Sequence, residues 1–257
     1  MTSSSRPVSP GRSAPGDMDL ASACWPDLVG GTDVVLIPLG SCEQHGPHLP
    51  FVTDATVAEE VARRTARALG YDGVRAVAAP GLPYGASGEH QAFPGTLSIG
   101  HEALERVIVE LGRSASTWAA RMVFVNGHGG NLPTVATAVL TLRSEGRDAA
   151  WTPCQPAAAD AHAGRTETSL IGALTPAAVR WERAAAGATE PVRDLIPRLR
   201  SEGVVGVSPN GVLGDPDGAS AAEGETLLAG MVDRVVCCVL SGRVDRVGQL
   251  RESGEAA

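Results

Sequence analysis

Short apolar runs alternate along the chain with longer stretches whose apolar positions recur at helical spacing. The runs "DVVLIPL" (33–39), "VRAVAAP" (74–80) and "RMVFVNG" (121–127) are bounded by turn residues and read as buried strands. Between them, "TVAEEVARRTARALG" (56–70) and "GHEALERVIVELGRSASTWAAR" (100–121) read as helices. Gly70 is positioned to end the first helix, and Thr56 with Glu59 has the spacing of a capping box. "LPTVATAVLTLRSEGRD" (132–148) predicts a third helix and "DAAWTPC" (148–154) a fourth strand. This alternation predicts an α/β layered sandwich with a largely parallel central sheet flanked by helices. After residue 160 the pattern loosens into "HAGRTETSLIGALTP", a loop entering a helix, and a Gly/Asp/Pro-rich loop before a long C-terminal helix. No repeat or linker interrupts it. One domain is expected over residues 19–250, with a disordered Ser/Pro/Gly-rich tail at 1–18 and a flexible C-terminus at 251–257.

Composition narrows the chemistry. The 257 residues are 43% hydrophobic, enough for one sizeable core. There is no apolar run of about 18 residues to span a membrane, and the N-terminal tail lacks the apolar segment of a signal peptide. A cytoplasmic protein is expected. A net charge of -8 disfavours nucleic acid as a partner. The five cysteines are scattered without a CxxC pair, so no zinc finger or disulfide framework is expected, and Cys237 and Cys238 read as small core hydrophobes. The chain has no lysine; all 21 of its basic residues are arginines. That excludes Schiff-base chemistry, a P-loop lysine and a lysine-carbamate metal bridge. Catalysis must come from carboxylates, imidazoles, thiols, hydroxyls or a metal.

Polar clusters fall where ligands bind in open α/β sheets, beyond the carboxyl ends of strands. They are "SCEQHGPH", "LPYGASGEHQAFPGT" and "NGHGGN", with "DAHAGRTET" after the last expected strand. Glu43 and His45, two apart in extended chain, point to the same side and could share an ion, or they form a solvated loop. Asp54 is either an N-terminal helix cap or a ligand. His128 emerges at a strand end where Gly127, Gly129 and Gly130 strip away side chains, and Asn131 is placed to cap the next helix. His162 and Glu167 either lie on a surface loop or serve as acid/base and as an additional ligand. His48 could ligate or support a ligand, and His101 reads as a surface residue on a first helical turn. Cys42 alternates with Glu43 and should point away from it. Mixed imidazole and carboxylate donors suit zinc, iron or manganese.

Together, "PLGSCEQHGPHLPFVTD", "YGASGEHQAFPGT", "VNGHGGN", "HAGRTETS" and "NGVLGDP" resemble the creatininase family of metal-dependent amidohydrolases. The resemblance covers residues 38–216. It implies an α/β fold, one or two divalent ions per subunit, cleavage of C–N bonds and homo-oligomers. By motif, Glu43, His45, Asp54 and His128 match metal ligands, with Asp54 between two ions. Tyr84, Ser87, Glu89, His90, Gly129, Gly130 and Asn131 are the substrate-contact candidates, and His162 would protonate the leaving nitrogen or stabilise the oxyanion. One position departs from the pattern: creatinine-hydrolysing members carry a metal-binding glutamate where this chain has Gly130. Glu167 is the candidate replacement, and the loss argues against creatinine as substrate. Within the family, the stretches around 84–96, 153–169 and 207–216 most resemble the peptidase branch of mycofactocin biosynthesis, which removes a modified C-terminal Val-Tyr unit from a precursor peptide. Rival readings are another amidohydrolase or deformylase on the same scaffold, and a non-catalytic metal-binding assembly protein.

Overall fold

The computed structural model describes residues 19–156 and 159–254. The expected tail at 1–18 and the last three residues, 255–257, lie outside the described residues. Strand β1 (Thr32–Leu39) is followed by α1 (Thr53–Tyr71), β2 (Ala76–Ala78), α2 (Gly100–Ala115), β3 (Ala119–Asn126), α3 (Leu132–Ser144) and β4 (Ala149–Pro153). The four strands form one parallel sheet in the order β2-β1-β3-β4.

The pleat sorts the strand residues into two cores. Val34, Leu36, Val123 and Val125 face α1 and the later helices α4 (Arg165–Leu174) and α6 (Ala221–Ser241). Val35, Ile37, Leu39, Met122 and Phe124 face α2 and α3 on the other side. Strands buried on both faces explain why their sequences are continuously apolar rather than alternating. The expected layered α/β sandwich is the one observed. Among the described residues, no helix is long and apolar enough to cross a membrane.

Several boundaries move. α1 begins at Thr53, so Thr56 lies inside it, donating its hydroxyl to Val52 O, and no capping box forms with Glu59. The helix also runs through Gly70 and turns at Gly73, whose φ of 79° needs a residue without a side chain. α2 stops at Ala115, because Ser116 and Thr117 turn their hydroxyls back to Arg113 O and Ser114 O, and β3 takes over at Ala119. Cys238 is buried but Cys237 is exposed, since adjacent helical positions face different ways.

Two elements were not foreseen. α5 (Val192–Val207) is largely exposed, carries Pro197 inside it and is broken by a non-helical Gly203. A short hairpin joins β5 (Arg243–Val244) to β6 (Leu250–Arg251), where Arg251 Nη2 bonds Asp245 Oδ2 at 2.8 Å. Ordered structure therefore extends past residue 250.

Candidate metal centre

The loop after β1 is polar yet almost wholly out of water: Ser41, Glu43, Gln44, His45 and His48 are all buried. It is not a solvated loop. Polar groups withdrawn from water need partners, and these come from three directions. α1 supplies Asp54 in its first turn, where the helix dipole favours a carboxylate. The turn after β3 supplies His128. Close approach of that turn to α1 depends on Gly127, because a β-carbon there would stand 2.6 Å from Asp54 O. The segments before and within α4 supply His162 and Glu167.

Asp54 joins two histidines. Its Oδ1 lies 3.1 Å from His45 Nε2, its Oδ2 lies 3.2 Å from His128 Nδ1, and the same Oδ2 accepts the Ser41 hydroxyl at 2.6 Å. Glu43 meets three imidazoles: His128 Nε2 at 3.2 Å, His90 Nε2 at 3.3 Å and His162 Nδ1 at 3.8 Å. Glu167 Oε2 accepts Ala163 N–H at 2.6 Å and lies 3.8 Å from His45 Nε2. Ring centroids of His45 and His162 are 4.3 Å apart, and those of His90 and His162 4.6 Å.

The charges in this cluster are strongly coupled. Burial works against a proton on His45, but Asp54, Glu167 and Glu43 outweigh it and raise the pKa to about 10. His128 is likewise raised well above its ordinary value by Glu43 and Asp54, against burial. Burial opposes ionisation of Glu43, yet His128 and His90 hold its carboxyl down at about 2. Burial pushes Glu167 up to about 7, Asp54 adding to the effect and His45 opposing it. Cys154 also lines the cavity, but burial and Asp54 push its thiol up to about 12, which removes it as a nucleophile.

The donor set fits divalent ions. Neither oxygen of Glu43 makes a well-formed hydrogen bond although both are buried. Three overlapping sets bring ligand atoms within 4.8 Å of one another: Glu43, Asp54 and His128; His45, Asp54 and Glu167; and Glu43, His45 and His162. Asp54 belongs to the first two, which is the arrangement of a carboxylate between two ions. Glu43, Asp54, His128, His162 and Glu167 line a cavity of about 870 Å³. Leu132 and Leu170 wall it, with Val192, Ile196, Leu199 and Arg200 from α5.

The family model described as creatinine amidohydrolase matches residues 21–239. The chain belongs to the creatininase family. It is 52% identical over 218 residues to the mycofactocin precursor peptide peptidase of Mycolicibacterium smegmatis, covering 84% of this chain and 88% of that protein. Among solved structures it is similar to a creatininase with a Trp-to-Phe substitution, at 25% identity and a TM-score of 0.71, covering 87% of this chain and 98% of the other. It is also similar to a Glu-to-Gln creatininase variant of "Zn-Zn type", at 25% identity and a TM-score of 0.69, covering 87% and 97%. Family membership carries hydrolysis of C–N bonds and divalent metal binding with it.

Against that family pattern, the site-residue expectations divide. Glu43, His45, Asp54, His128, His162 and Glu167 converge, and Glu89, His90, Gly129 and Gly130 line the cavity above them. Tyr84, Ser87 and Asn131 do not. Tyr84 is 42% exposed outside the cavity and Ser87 is buried behind it. Asn131 does not cap α3 with its side chain; it accepts from Ala86 N–H and donates to Gly40 O and Asn126 Oδ1, tying three loops together.

His162 is anchored through one nitrogen: its Nε2–H donates to the Gln44 carbonyl at 2.8 Å, which leaves Nδ1 turned toward Glu43 Oε1 at 3.8 Å. Burial and the neighbouring His45 and His90 hold the ring neutral, well below its ordinary pKa. His48 is buried against the Thr168 hydroxyl at 2.9 Å and belongs to none of the three ligand sets. His101, exposed as expected, nonetheless borders the cavity and bonds Thr134 Oγ1 at 2.7 Å.

At Gly130 a β-carbon would stand 2.6 Å from both Glu89 Oε1 and Ala86 O. No side chain fits there, and the Glu89 carboxylate, 3.6 Å from His128 Nε2, fills the space. Sequence reasoning missed Gln44, which contacts two of the histidines, although it stands inside the "CEQH" motif. It also missed the α5 wall.

Proposed function

We propose that the protein is a metal-dependent peptidase that releases the modified C-terminal Val-Tyr unit from a mycofactocin precursor peptide. The observation that carries this reading is the convergence of His45 with Glu43, Asp54, His128 and Glu167, the last four of which line an 870 Å³ cavity. Support comes from the 52% identity to a peptidase of that name over 88% of its length. The glycine at position 130 separates the site from the creatinine-hydrolysing pattern.

Glu43, Asp54 and His128 would hold one ion, and His45, Asp54 and Glu167 a second. Bound divalent ions supply Lewis acidity, which lowers the pKa of a water and polarises the scissile carbonyl. Imidazole and carboxylate donors favour zinc or iron, with manganese as the alternative. Asp54 orients His45 and His128 toward the same point. Glu167, with 23% of its side chain exposed to the cavity, is suited to accept a proton from water and deliver it to the leaving nitrogen. Leu132, Leu170 and the α5 residues exclude water and offer an apolar bed for Val and Tyr side chains. A cytoplasmic location and a homo-oligomeric state, usual in the family, complete the reading.

The test is product analysis with purified protein and three substrates: the modified precursor peptide, creatinine and a formamide. The expected result is cleavage of the peptide alone, abolished by a chelator and restored by zinc or iron. Turnover of creatinine or the formamide without peptide cleavage overturns the peptidase assignment. Ion binding without turnover of any substrate supports an assembly role instead.

A further inference from the structure

We propose that Arg200, on the α5 wall of the cavity, is a specificity residue that binds a carboxylate of the peptide substrate away from the scissile bond. This rests on the reading of the cavity as the seat of a peptide.

α5 turns one stripe toward the cavity. Val192, Ile196, Leu199, Arg200, Gly203 and Val204 all line it, and they recur at the three- and four-residue spacing of a single helical face. Arg200 is the one polar side chain on that stripe. The other two arginines of α5 lie off it and are paired, Arg193 with Asp194 at 3.6 Å and Arg198 with Glu202 at 3.4 Å. An arginine kept for solubility alone would join them on the outer face.

The guanidinium of Arg200 has no partner of its own. It is exposed, and among the described residues it makes no ion pair or hydrogen bond. Glu89 is the nearest candidate by position along the helix. Gly203, one turn further on, packs so tightly there that a β-carbon would stand 3.1 Å from Glu89 O. The Glu89 carboxylate nevertheless turns to His128 Nε2, 3.6 Å away, and leaves the guanidinium to the cavity.

The charges around the cavity give that cation a purpose. Glu43, Asp54, Glu89, Asp160 and Glu167 all line the same space. Arg200 is the one arginine among the lining residues, and the chain has no lysine. The acids repel an anionic group on a ligand, so such a group is sorted to the α5 wall. The planar fork of a guanidinium matches the two oxygens of a carboxylate, which fixes its direction as well as its place. Apolar side chains of the same peptide then settle on the stripe on either side of Arg200. The carboxylate has two sources in a peptide: an Asp or Glu side chain on the N-terminal side of the scissile bond, or the C-terminus itself.

The test reads binding without turnover. Zinc-loaded protein is titrated by calorimetry with synthetic peptides of glycines ending in Val-Tyr amide. Each carries Asp or Asn at one glycine position in turn, and a further pair compares the free C-terminal acid with the amide. At least one acidic peptide is expected to bind ~10-fold more tightly than its neutral twin, the effect of hydrogen bonds to a charged group. An Asp peptide identifies the side chain as the source, and the free acid identifies the C-terminus. The preference is expected to vanish in Arg200→Gln and to survive in part in Arg200→Lys. A preference that persists in Arg200→Gln places the carboxylate on the metal centre and overturns the proposal, as does the absence of preference in every pair. A peptide bound with charge preference but never cleaved fails the functional reading alone. Cleavage of the modified precursor without any charge preference fails this one alone.

Discussion

Glu89 occupies the volume that a side chain on Gly130 would need: its Oε1 lies 2.6 Å from the position of a β-carbon there. The family glutamate therefore cannot simply be restored. Gly130→Glu and Gly130→Ala are both expected to displace His128 and reduce zinc affinity at least ~10-fold. Glu89→Ala combined with Gly130→Ala should recover part of that loss. Competitive zinc titration of the three variants checks it, and additive losses would show that the two positions do not compete.

Asp54 is the side chain common to two ligand sets. Asp54→Asn keeps an acceptor for the Ser41 hydroxyl but loses the charge between His45 and His128. Bound metal measured by elemental analysis should fall by at least half and turnover by at least ~100-fold, while the melting temperature of the ion-free protein shows that the fold persists.

The pH dependence follows from His45. Burial disfavours its charge, but the surrounding carboxylates raise its folded pKa from 6.5 to about 10. A histidine raised in the folded state contributes stability that is fully present below the unfolded pKa and is lost as pH rises through the folded one. Ion-free protein should therefore lose stability between pH 6.5 and about 10. Over the same interval zinc affinity should rise, because the ion must displace that proton. Melting curves with and without zinc at pH 7 and pH 9 check both trends. A chelated protein that is more stable at pH 9 contradicts the assignment.

Asn131 carries stability rather than chemistry. Asn131→Ala leaves Ala86 N–H and Gly40 O buried without their partner. That should cost about 2 kcal/mol and lower the melting temperature by roughly 4–8 °C, read by circular dichroism.

Much of the fold was legible because burial on both faces makes the strands β1, β3 and β4 continuously apolar. The helix ends were less so. Thr56–Glu59 satisfied a capping pattern by composition alone, while the true first turn was drawn back to Thr53 by Asp54 entering the cage. α5 escaped notice because it packs one narrow stripe over a cavity rather than a full face over the core. At the site, motif and spacing singled out the acids and imidazoles. They did not indicate that Tyr84 points outward or that Asn131 is a loop tie, since both depend on contacts with segments distant in sequence.

What the sequence determined by itself was the chemical repertoire: no lysine, histidines and acids concentrated at strand ends, and glycines where backbones must meet. Those are local properties, fixed by residue identity and short-range pattern. Only the tertiary structure decided how an imidazole is turned in the cage. His162 is anchored by the single carbonyl of Gln44, and that hydrogen bond reaches across 118 residues of the chain.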